Sequence, residues 1–204
     1  DLGTGESYIE EHNEVWYRTY MGGACVGAWY LLRELEPGVD AFSPENIMVF
    51  APSIVTGTPA PGFSRHAVVT KSPLTGLIGD SQAGGFWGVE LKAAGLDAVV
   101  VTGRAEKPVY LWIEDGGVEI RDASHLWGKT TGEAQATIRE ELGDKRIRAL
   151  LIGPAGENQV RFANIMNELR DANGRGGLGA VMGSKTLKAI AVRGHGRIDM
   201  ADSE

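Results

Sequence analysis

The densest chemical signal in this sequence is a glycine-rich segment near its end, NGRGGLGAVMGSK at residues 173–185. Ten consecutive residues of it, 174–183, include five glycines, and Arg175 lies among them. A glycine has no Cβ, so the main-chain N–H groups around it stay accessible to a bulky anion. The segment therefore predicts a site built from backbone for a phosphate-like group, to which Arg175 adds positive charge.

Two common nucleotide-binding motifs fit this segment poorly. Gly174, Gly176 and Gly179 have the glycine spacing of the G-x-G-x-x-G pattern, but the pattern alone is weak, and the strand predicted at 189–193 is followed by GHG, with no acidic residue to contact a ribose. The triplet GSK at 183–185 reverses the Gly-Lys-Ser order of a P-loop. The sequence therefore argues against a dinucleotide-binding fold and a P-loop.

A second candidate group lies in the first half of the chain, where SQAGG occupies residues 81–85. Arg65 precedes it, and a guanidinium group offers an anion two parallel hydrogen bonds. Ser81 and Gln82 add neutral hydrogen-bonding groups. The alternative for Arg65 is an ordinary surface residue at the end of a strand, and the sequence leaves both interpretations open.

Residue counts restrict the metal and nucleophile chemistry of the chain. Cys25 is the only cysteine, so these residues alone supply neither a disulfide nor a cysteine-based zinc or iron–sulfur site. No G-x-S-x-G motif of a hydrolase nucleophile occurs. The histidines show no metal-ligand spacing and receive no ligand role: His12, His66, His125 and His195.

The overall composition narrows the class of partner. A formal net charge of −7 argues against nucleic acid, which normally requires a strong basic excess. No apolar run of about 18 residues and no signal-peptide pattern occur, so we expect a cytoplasmic protein that does not enter a membrane. Glycine makes up 29 of 204 residues, about twice the usual share, which indicates turns and close approaches of backbone to a ligand.

The pattern of apolar residues predicts an α+β fold with mixed sheets, because strands outnumber helices and arrive in hairpin-like groups. We expect one domain over residues 1–204, made of two similar halves at about 1–103 and 104–204. The predicted helical segments are 14–35, in one or two pieces, 86–94 and 131–142. Residues 79–85 and 153–158 are predicted to be loops, and 160–165 to be a strand.

Two segments about ninety residues apart repeat one order of elements. Residues 83–103 and 175–194 each contain a Gly-Gly loop, a short predicted helix and an apolar strand closed by glycine. Chance recurrence and a duplication both account for this similarity. A duplication would present two equivalent glycine loops, which could hold two copies of one ligand about a pseudo-twofold axis.

In these two glycine-rich segments, and in others along its length, the chain resembles the N-terminal domain of the aldehyde ferredoxin oxidoreductase family. Three specific matches are VTKSPLTG at 69–76, IGPAGEN at 152–158 and the glycine-rich residues 174–185. Further matches lie at 42–46, 56–61, 84–92, 107–110 and 121–129. The series runs in order through nearly the whole chain, which makes it far more specific than a single glycine motif.

The resemblance implies two similar sheets that cover a tungstopterin, a bis-molybdopterin with tungsten or molybdenum. Each half would contact one pterin, and a magnesium ion would bridge the two phosphates. By position, Arg65 matches the family arginine between pterin and iron–sulfur cluster, while Gln82 and Ala172 match positions whose backbone oxygens approach magnesium. The cofactor-binding residues that we predict are Arg65, Ser81, Gln82, Ala83, Gly84, Gly85, Asp171, Ala172, Gly174, Arg175, Gly176 and Gly177.

Two departures from the family pattern affect these positions. Gln82 stands where family members often have Asn, and Asp171 opens the run DANG where they often have Arg-Ala-Ala-Gly. A contact through a backbone carbonyl survives a change of side chain. A carboxylate in place of a cation, however, weakens the local field for a phosphate.

The resemblance also implies oxidation of an aldehyde to a carboxylic acid, with electrons passed through a 4Fe–4S cluster to ferredoxin. The cluster would be ligated outside this chain, because Cys25 alone cannot hold it. We therefore predict no catalytic residue in residues 1–204 and no activity without the remaining domains of the enzyme. Loss of those domains would expose the cofactor-facing surface, which favours a homodimer of the isolated domain.

Two other classes of function remain open at this point. One is a stand-alone binding module for a phosphorylated small ligand, and the other is a structural subunit without redox chemistry. Bound metal with organic phosphate favours the tungsten enzyme, phosphate without metal favours the binding module, and neither favours the structural subunit.

Overall fold

The computed structural model describes residues 1–198, so the last six residues of the predicted second half, 199–204, lie outside the described part. None of the helices in residues 1–198 is long and apolar enough to cross a membrane. The helices are α1 Glu14–Tyr20, α2 Gly23–Glu34, α3 Trp87–Ala93, α4 Thr131–Leu142, α5 Pro154–Glu157 and α6 Leu178–Ser184. The strands are β1 Met48–Pro52, β2 His66–Lys71, β3 Ile78–Ala83, β4 Val99–Val101, β5 Val109–Glu114, β6 Gly117–Asp122, β7 Arg148–Leu151, β8 Ile165–Asn167, β9 Asp171–Asn173 and β10 Leu187–Arg193.

The strands form two sheets, which confirms the predicted α+β class. The first sheet has the order β3-β2-β1-β4 and is antiparallel throughout. The second has the order β6-β5-β10-β7-β8-β9 and is mixed, because β5 and β10 run parallel while its other neighbours are antiparallel. β3 is an edge strand of the first sheet, with six residues, and β9 is an edge strand of the second, with three.

The same order of elements occurs twice. In the first occurrence α2 precedes β1, β2 and β3, and α3 then leads to β4, which pairs with β1. In the second, α4 precedes β7, β8 and β9, and α6 leads to β10, which pairs with β7. The β5–β6 hairpin is an addition on the far side of β10. The repeat suggested by the glycine loops therefore comprises two helices and four strands.

One hydrophobic core joins the two sheets. Helices α3 and α6 lie between them, and their apolar residues share a single buried cluster with strands of both sheets. Trp87 is fully buried there, and its indole Nε1 donates a hydrogen bond to the carbonyl of Ile190, 3.0 Å away. On the outer faces, α2 covers the first sheet and α4 the second, each over its own apolar cluster. The two repeats are therefore packed as one unit.

Three predicted segments differ from the structure. Residues 79–85 were expected to form a loop, yet most of them belong to β3, whose inward positions are the small residues Gly79, Ser81 and Ala83. Small inward residues hide the apolar alternation that normally indicates a strand. The predicted strand at 160–165 is a turn, with β8 starting only at its end, and the predicted loop at 153–158 contains α5.

Helix α6 packs directly on backbone along one face. A Cβ added to Gly179 would lie 2.2 Å from the carbonyl oxygen of Asn164, and one added to Gly183 would lie 1.9 Å from that of Gly156. Residues four apart in a helix share a face, so both glycines serve the same close approach. This approach holds α6, and the loop before it, against α5 and the segment that precedes β8.

We predict that Gly183→Ala lowers the free energy of unfolding by about 2 kcal/mol, because the added methyl group overlaps a backbone oxygen that cannot move away. Urea denaturation of the chain measures the change. Gly132→Ala is the matched control: its Cβ would meet only Leu169 at 3.8 Å, in the first turn of α4. There the better helix propensity of alanine should raise stability by about 0.5–1 kcal/mol. Equal effects of the two changes would contradict this account of the packing.

Candidate functional site

The predicted glycine loops lie side by side, where the edges of the two sheets meet. Strand β3 runs into Gly84 and Gly85, and β9 runs into residues 174–177. Both strands are the outer strands of their sheets, and they contact one another. These two segments, Gly84–Gly85 and 174–177, are called the loop pair below.

Side chains rather than a strand ladder join the two edges. Asn173 Nδ2 donates to the carbonyl of Ser81 at 2.7 Å, and the backbone N–H of Arg175 donates to Ser81 Oγ at 3.1 Å. On the other side of the second loop, Ser72 Oγ donates to the carbonyl of Gly176 at 2.7 Å. Asn173 and Ser81 are buried, so the hydrogen bond between them is protected from water. The second loop is therefore fixed to the first sheet.

The loop pair offers hydrogen-bond donors without acceptors. Within residues 1–198, the backbone N–H groups of Gly84, Gly85, Gly174 and Gly176 donate to no protein atom. All four glycines are exposed or half-buried. Backbone N–H groups require a partner, so four of them on one surface are suited to water or to an anion.

Two cationic side chains flank these amides. Arg65 and Arg175 are exposed, and neither forms an ion pair with any residue of the described chain. Arg65 lies near the first loop, because the next residue, His66, is paired with Ala83 at the end of the β2–β3 ladder. The surface thus combines bare amides with guanidinium groups, both of which favour phosphate or another oxyanion.

The remaining predicted residues divide into outward and inward positions. Gln82 is exposed on β3, and Ala172 is half-buried on β9, each two residues before the first glycine of its loop. The side chains of Ser81 and Ala83 are buried, so they would reach a ligand only through backbone atoms. Gly177 is also buried, with φ +70° and only 1.7 Å between an added Cβ and the carbonyl oxygen of Arg161. It serves packing.

Two acidic side chains of the second repeat lie against the first loop. Glu168 Oε1 accepts a hydrogen bond from the N–H of Phe86 at 3.2 Å, and burial raises the pKa of Glu168. The carboxylate of Asp171 would be 3.4 Å from a Cβ added at Gly84 and 3.2 Å from one at Gly85. Asp171 therefore weakens the field at the first loop, whereas the second loop carries Arg175. The two loops are equivalent in the fold and unequal in charge.

Sequence reasoning assigned no role to His66, which the structure places at the centre of this junction. Its Nε2 lies 3.1 Å from Asn173 Oδ1, and its ring is tilted 57° against Trp87 at a centroid distance of 5.0 Å. Burial lowers the pKa of His66 to about 4, so the ring is neutral at pH 7. Strand β2 is buried on both faces, so no alternation of polar and apolar residues marks the position as special.

The side chains at the loop pair form no metal-binding cluster in the described part of the chain. Within residues 1–198, no group of three or more His, Cys, Asp or Glu residues is arranged to hold a metal ion. A cavity of about 340 Å³ lies elsewhere, between the N-terminal segment and β4, and none of the predicted cofactor-binding residues lines it. Gly84, Gly85, Gly174 and Gly176 are exposed or half-buried, which is suited to a ligand covered from its other side.

His66 should make the stability of the chain depend on pH. Its pKa is about 4 in the folded chain and about 6.5 when exposed, so the unfolded state binds more protons between these values. Stability should therefore fall as pH decreases from 6.5 to 4, by about 3 kcal/mol from this group. Denaturant unfolding at a series of pH values should show this loss in the wild type and a smaller one in His66→Gln. Identical slopes for the two proteins would refute the buried neutral histidine.

The comparisons with known proteins all indicate the same family. Residues 1–194 match the sequence profile of "Aldehyde ferredoxin oxidoreductase, N-terminal domain". Over 204 residues the chain is 52% identical to the tungsten-containing aldehyde ferredoxin oxidoreductase of Pyrococcus furiosus and 50% identical to that of Thermococcus kodakarensis. Each alignment covers 100% of this chain and 34% of the relative, so the chain spans about a third of their length.

A solved structure agrees with the sequence comparisons. The chain is similar to the active-site complex BamBC of benzoyl coenzyme A reductase, solved with 1,5-dienoyl-CoA, with a TM-score of 0.94 and 43% sequence identity. The superposition covers 97% of this chain and 30% of that one. The profile, the relatives and the structure all match nearly the whole chain. The chain therefore belongs to the aldehyde ferredoxin oxidoreductase family, in which it corresponds to the N-terminal domain.

Proposed function

We propose that this chain is the cofactor-binding domain of a tungsten- or molybdenum-dependent aldehyde:ferredoxin oxidoreductase. The observation that supports it most directly is the loop pair, where four unpaired glycine amides lie on one surface between Arg65 and Arg175. The family relatives named as tungsten-containing enzymes supply the expected cofactor, a tungstopterin with two pterins.

The residues of the loop pair fit such a cofactor. A bis-pterin presents two phosphate groups, and the repeated fold presents two glycine loops at equivalent positions. Gly84 and Gly85 would serve one phosphate, and Gly174, Arg175 and Gly176 the other. Bare amides and a guanidinium group suit the negative charge of both.

A magnesium ion between the phosphates fits the same arrangement. Gln82 and Ala172 occupy equivalent positions, each two residues before its glycine loop. We propose that their backbone oxygens approach the ion. The carboxylate of Asp171 lies close to the first loop, so a cation there would also offset its repulsion of a phosphate.

The bound metal-pterin supplies the two-electron redox chemistry, here the oxidation of an aldehyde to a carboxylic acid. The chain's own residues bind and orient it: the amides and arginines hold the phosphates, and the packed core keeps both loops in place. No side chain of the loop pair is assigned to the aldehyde. The domain alone should therefore be inactive.

The remaining steps of the proposed reaction require further domains of the enzyme. A 4Fe–4S cluster requires four thiolates, whereas this chain has the single, exposed Cys25. We propose that further domains of the same protein ligate the cluster, bind the aldehyde and pass electrons to ferredoxin in the cytoplasm. The open loop-pair surface would face these domains, and in the isolated domain it would favour a homodimer.

The second candidate function, a stand-alone module for a phosphorylated ligand, rests on the same amides but lacks the support of the family match.

We predict tungsten or molybdenum at one atom per chain, together with organic phosphate, in the purified full-length protein. Elemental analysis of the metal and a phosphate assay measure both. Organic phosphate without either metal would favour the binding module, and the absence of both would leave a structural subunit.

We predict that Arg175→Ala weakens retention of the cofactor about tenfold or more, because one charge-assisted contact to a phosphate is lost. Metal content per chain after extensive dialysis of the full-length protein measures it. Arg18→Ala is the control, since Arg18 is an exposed residue on α1 that pairs with Glu14. If both variants kept the same metal content as the wild type, the assignment of Arg175 would be wrong.

A further inference from the structure

His66 connects the two repeats at the loop pair. It begins β2 of the first repeat, while its partner Asn173 ends β9 of the second, 107 residues later. Only 1% of His66 is exposed, and Asn173 is fully buried. A buried polar contact between elements that distant in sequence restricts how the two sheet edges can be placed.

The hydrogen bonds define which nitrogen of His66 carries the proton. Asn173 Nδ2 must face the carbonyl of Ser81, 2.7 Å away, because a carbonyl can only accept. Asn173 Oδ1 therefore faces His66 Nε2, which must be the protonated nitrogen and the donor. His66 Nδ1 is left as a buried acceptor, and no atom of residues 1–198 donates to it.

This donor is the first link of a chain of contacts that reaches the second loop. His66 orients the amide of Asn173, and Asn173 holds the carbonyl of Ser81. The hydroxyl of Ser81 accepts from the backbone N–H of Arg175, the residue between Gly174 and Gly176. The side chain of His66 thus acts on the loop without touching the surface where the amides are exposed.

The charged groups around His66 do not explain its presence. Asp171 is the charged neighbour that acts on its ring, and it favours the protonated form, but the effect of burial is larger and keeps the ring neutral. An apolar ring of similar size would fill the space beside Trp87 without leaving Nδ1 unpaired. The particular contribution of histidine is therefore the directed Nε2–H donor.

We propose that His66 is a positioning residue, which through Asn173 and Ser81 sets the separation and orientation of the two glycine loops for a ligand with two phosphate groups. The proposal rests on the function proposed above. A single phosphate needs only one loop, whereas two linked phosphates require a fixed distance between the loops. Asn173 immediately precedes the second loop and Ser81 lies three residues before the first, so a shift at this junction moves one loop relative to the other.

Glutamine and asparagine at position 66 separate the role of Nε2 from general packing. The amide nitrogen of glutamine reaches about as far as Nε2 of histidine, while that of asparagine reaches only about as far as Nδ1. His66→Gln should therefore restore the donor to Asn173, His66→Asn should not, and His66→Phe keeps the ring shape without a donor. None of the three changes an atom of the exposed surface.

The first measurement is amide hydrogen exchange of the full-length protein, purified from cells grown without tungsten and molybdenum. We expect the amide of Arg175, which donates to Ser81 Oγ, to exchange about tenfold faster in His66→Asn and His66→Phe than in the wild type, and at nearly the wild-type rate in His66→Gln. Helix α4, on the far side of the second sheet, should exchange at the same rate in all four proteins. The second measurement is metal and organic phosphate per chain after growth with tungsten, which should be reduced at least fivefold in the Asn and Phe variants only.

Equal exchange of the Arg175 amide in the Gln and Asn variants would overturn the positioning role. An equal acceleration in α4 would overturn it as well, because it indicates general loss of structure. A wild type that binds no metal-pterin would refute the proposed function instead. The exchange pattern without cofactor would still decide whether His66 fixes the loops.

Discussion

The structure depends on the junction of two sheet edges, β3 and β9. Exposed edges tend to pair with other strands, whereas here a few side chains join the two edges, and the glycine loops that follow remain exposed or half-buried. Asn173 and Ser81 form the joint, and His66 orients it from inside the first sheet. Because this joint is buried and consists of hydrogen bonds with defined donors and acceptors, the two loops are held together before any ligand binds.

The repeated fold explains why a ligand with two similar halves suits this surface. The side chains beside the two glycine loops differ in charge, so the two halves of the ligand would meet different surroundings. Each repeat supplies a glycine loop with unpaired amides after its third strand. The first loop is bordered by Glu168 and Asp171 as well as by Arg65, while the second contains Arg175. A cation at the first loop and a guanidinium at the second would balance the charge of the two phosphates by different means.

Local chemistry made part of this structure predictable. Helix α4 has the predicted bounds because Thr130 and Glu133 form a capping box and Gly143 ends the helix. The glycine loops were evident from composition alone. Strand β3 was missed because its inward residues are small, and His66 was missed because its partner lies 107 residues away. Contacts of that kind arise when the two repeats pack together, and no local sequence pattern indicates them.

The central claim is that both loops of this domain grip one ligand through backbone amides. A crystal structure of the full-length protein, with anomalous data collected at the tungsten edge, tests it directly. The account predicts one phosphate within hydrogen-bonding distance of the amides of Gly84 and Gly85, and a second beside those of Gly174 and Gly176. A cofactor whose phosphates contact only one loop, or neither, would contradict it.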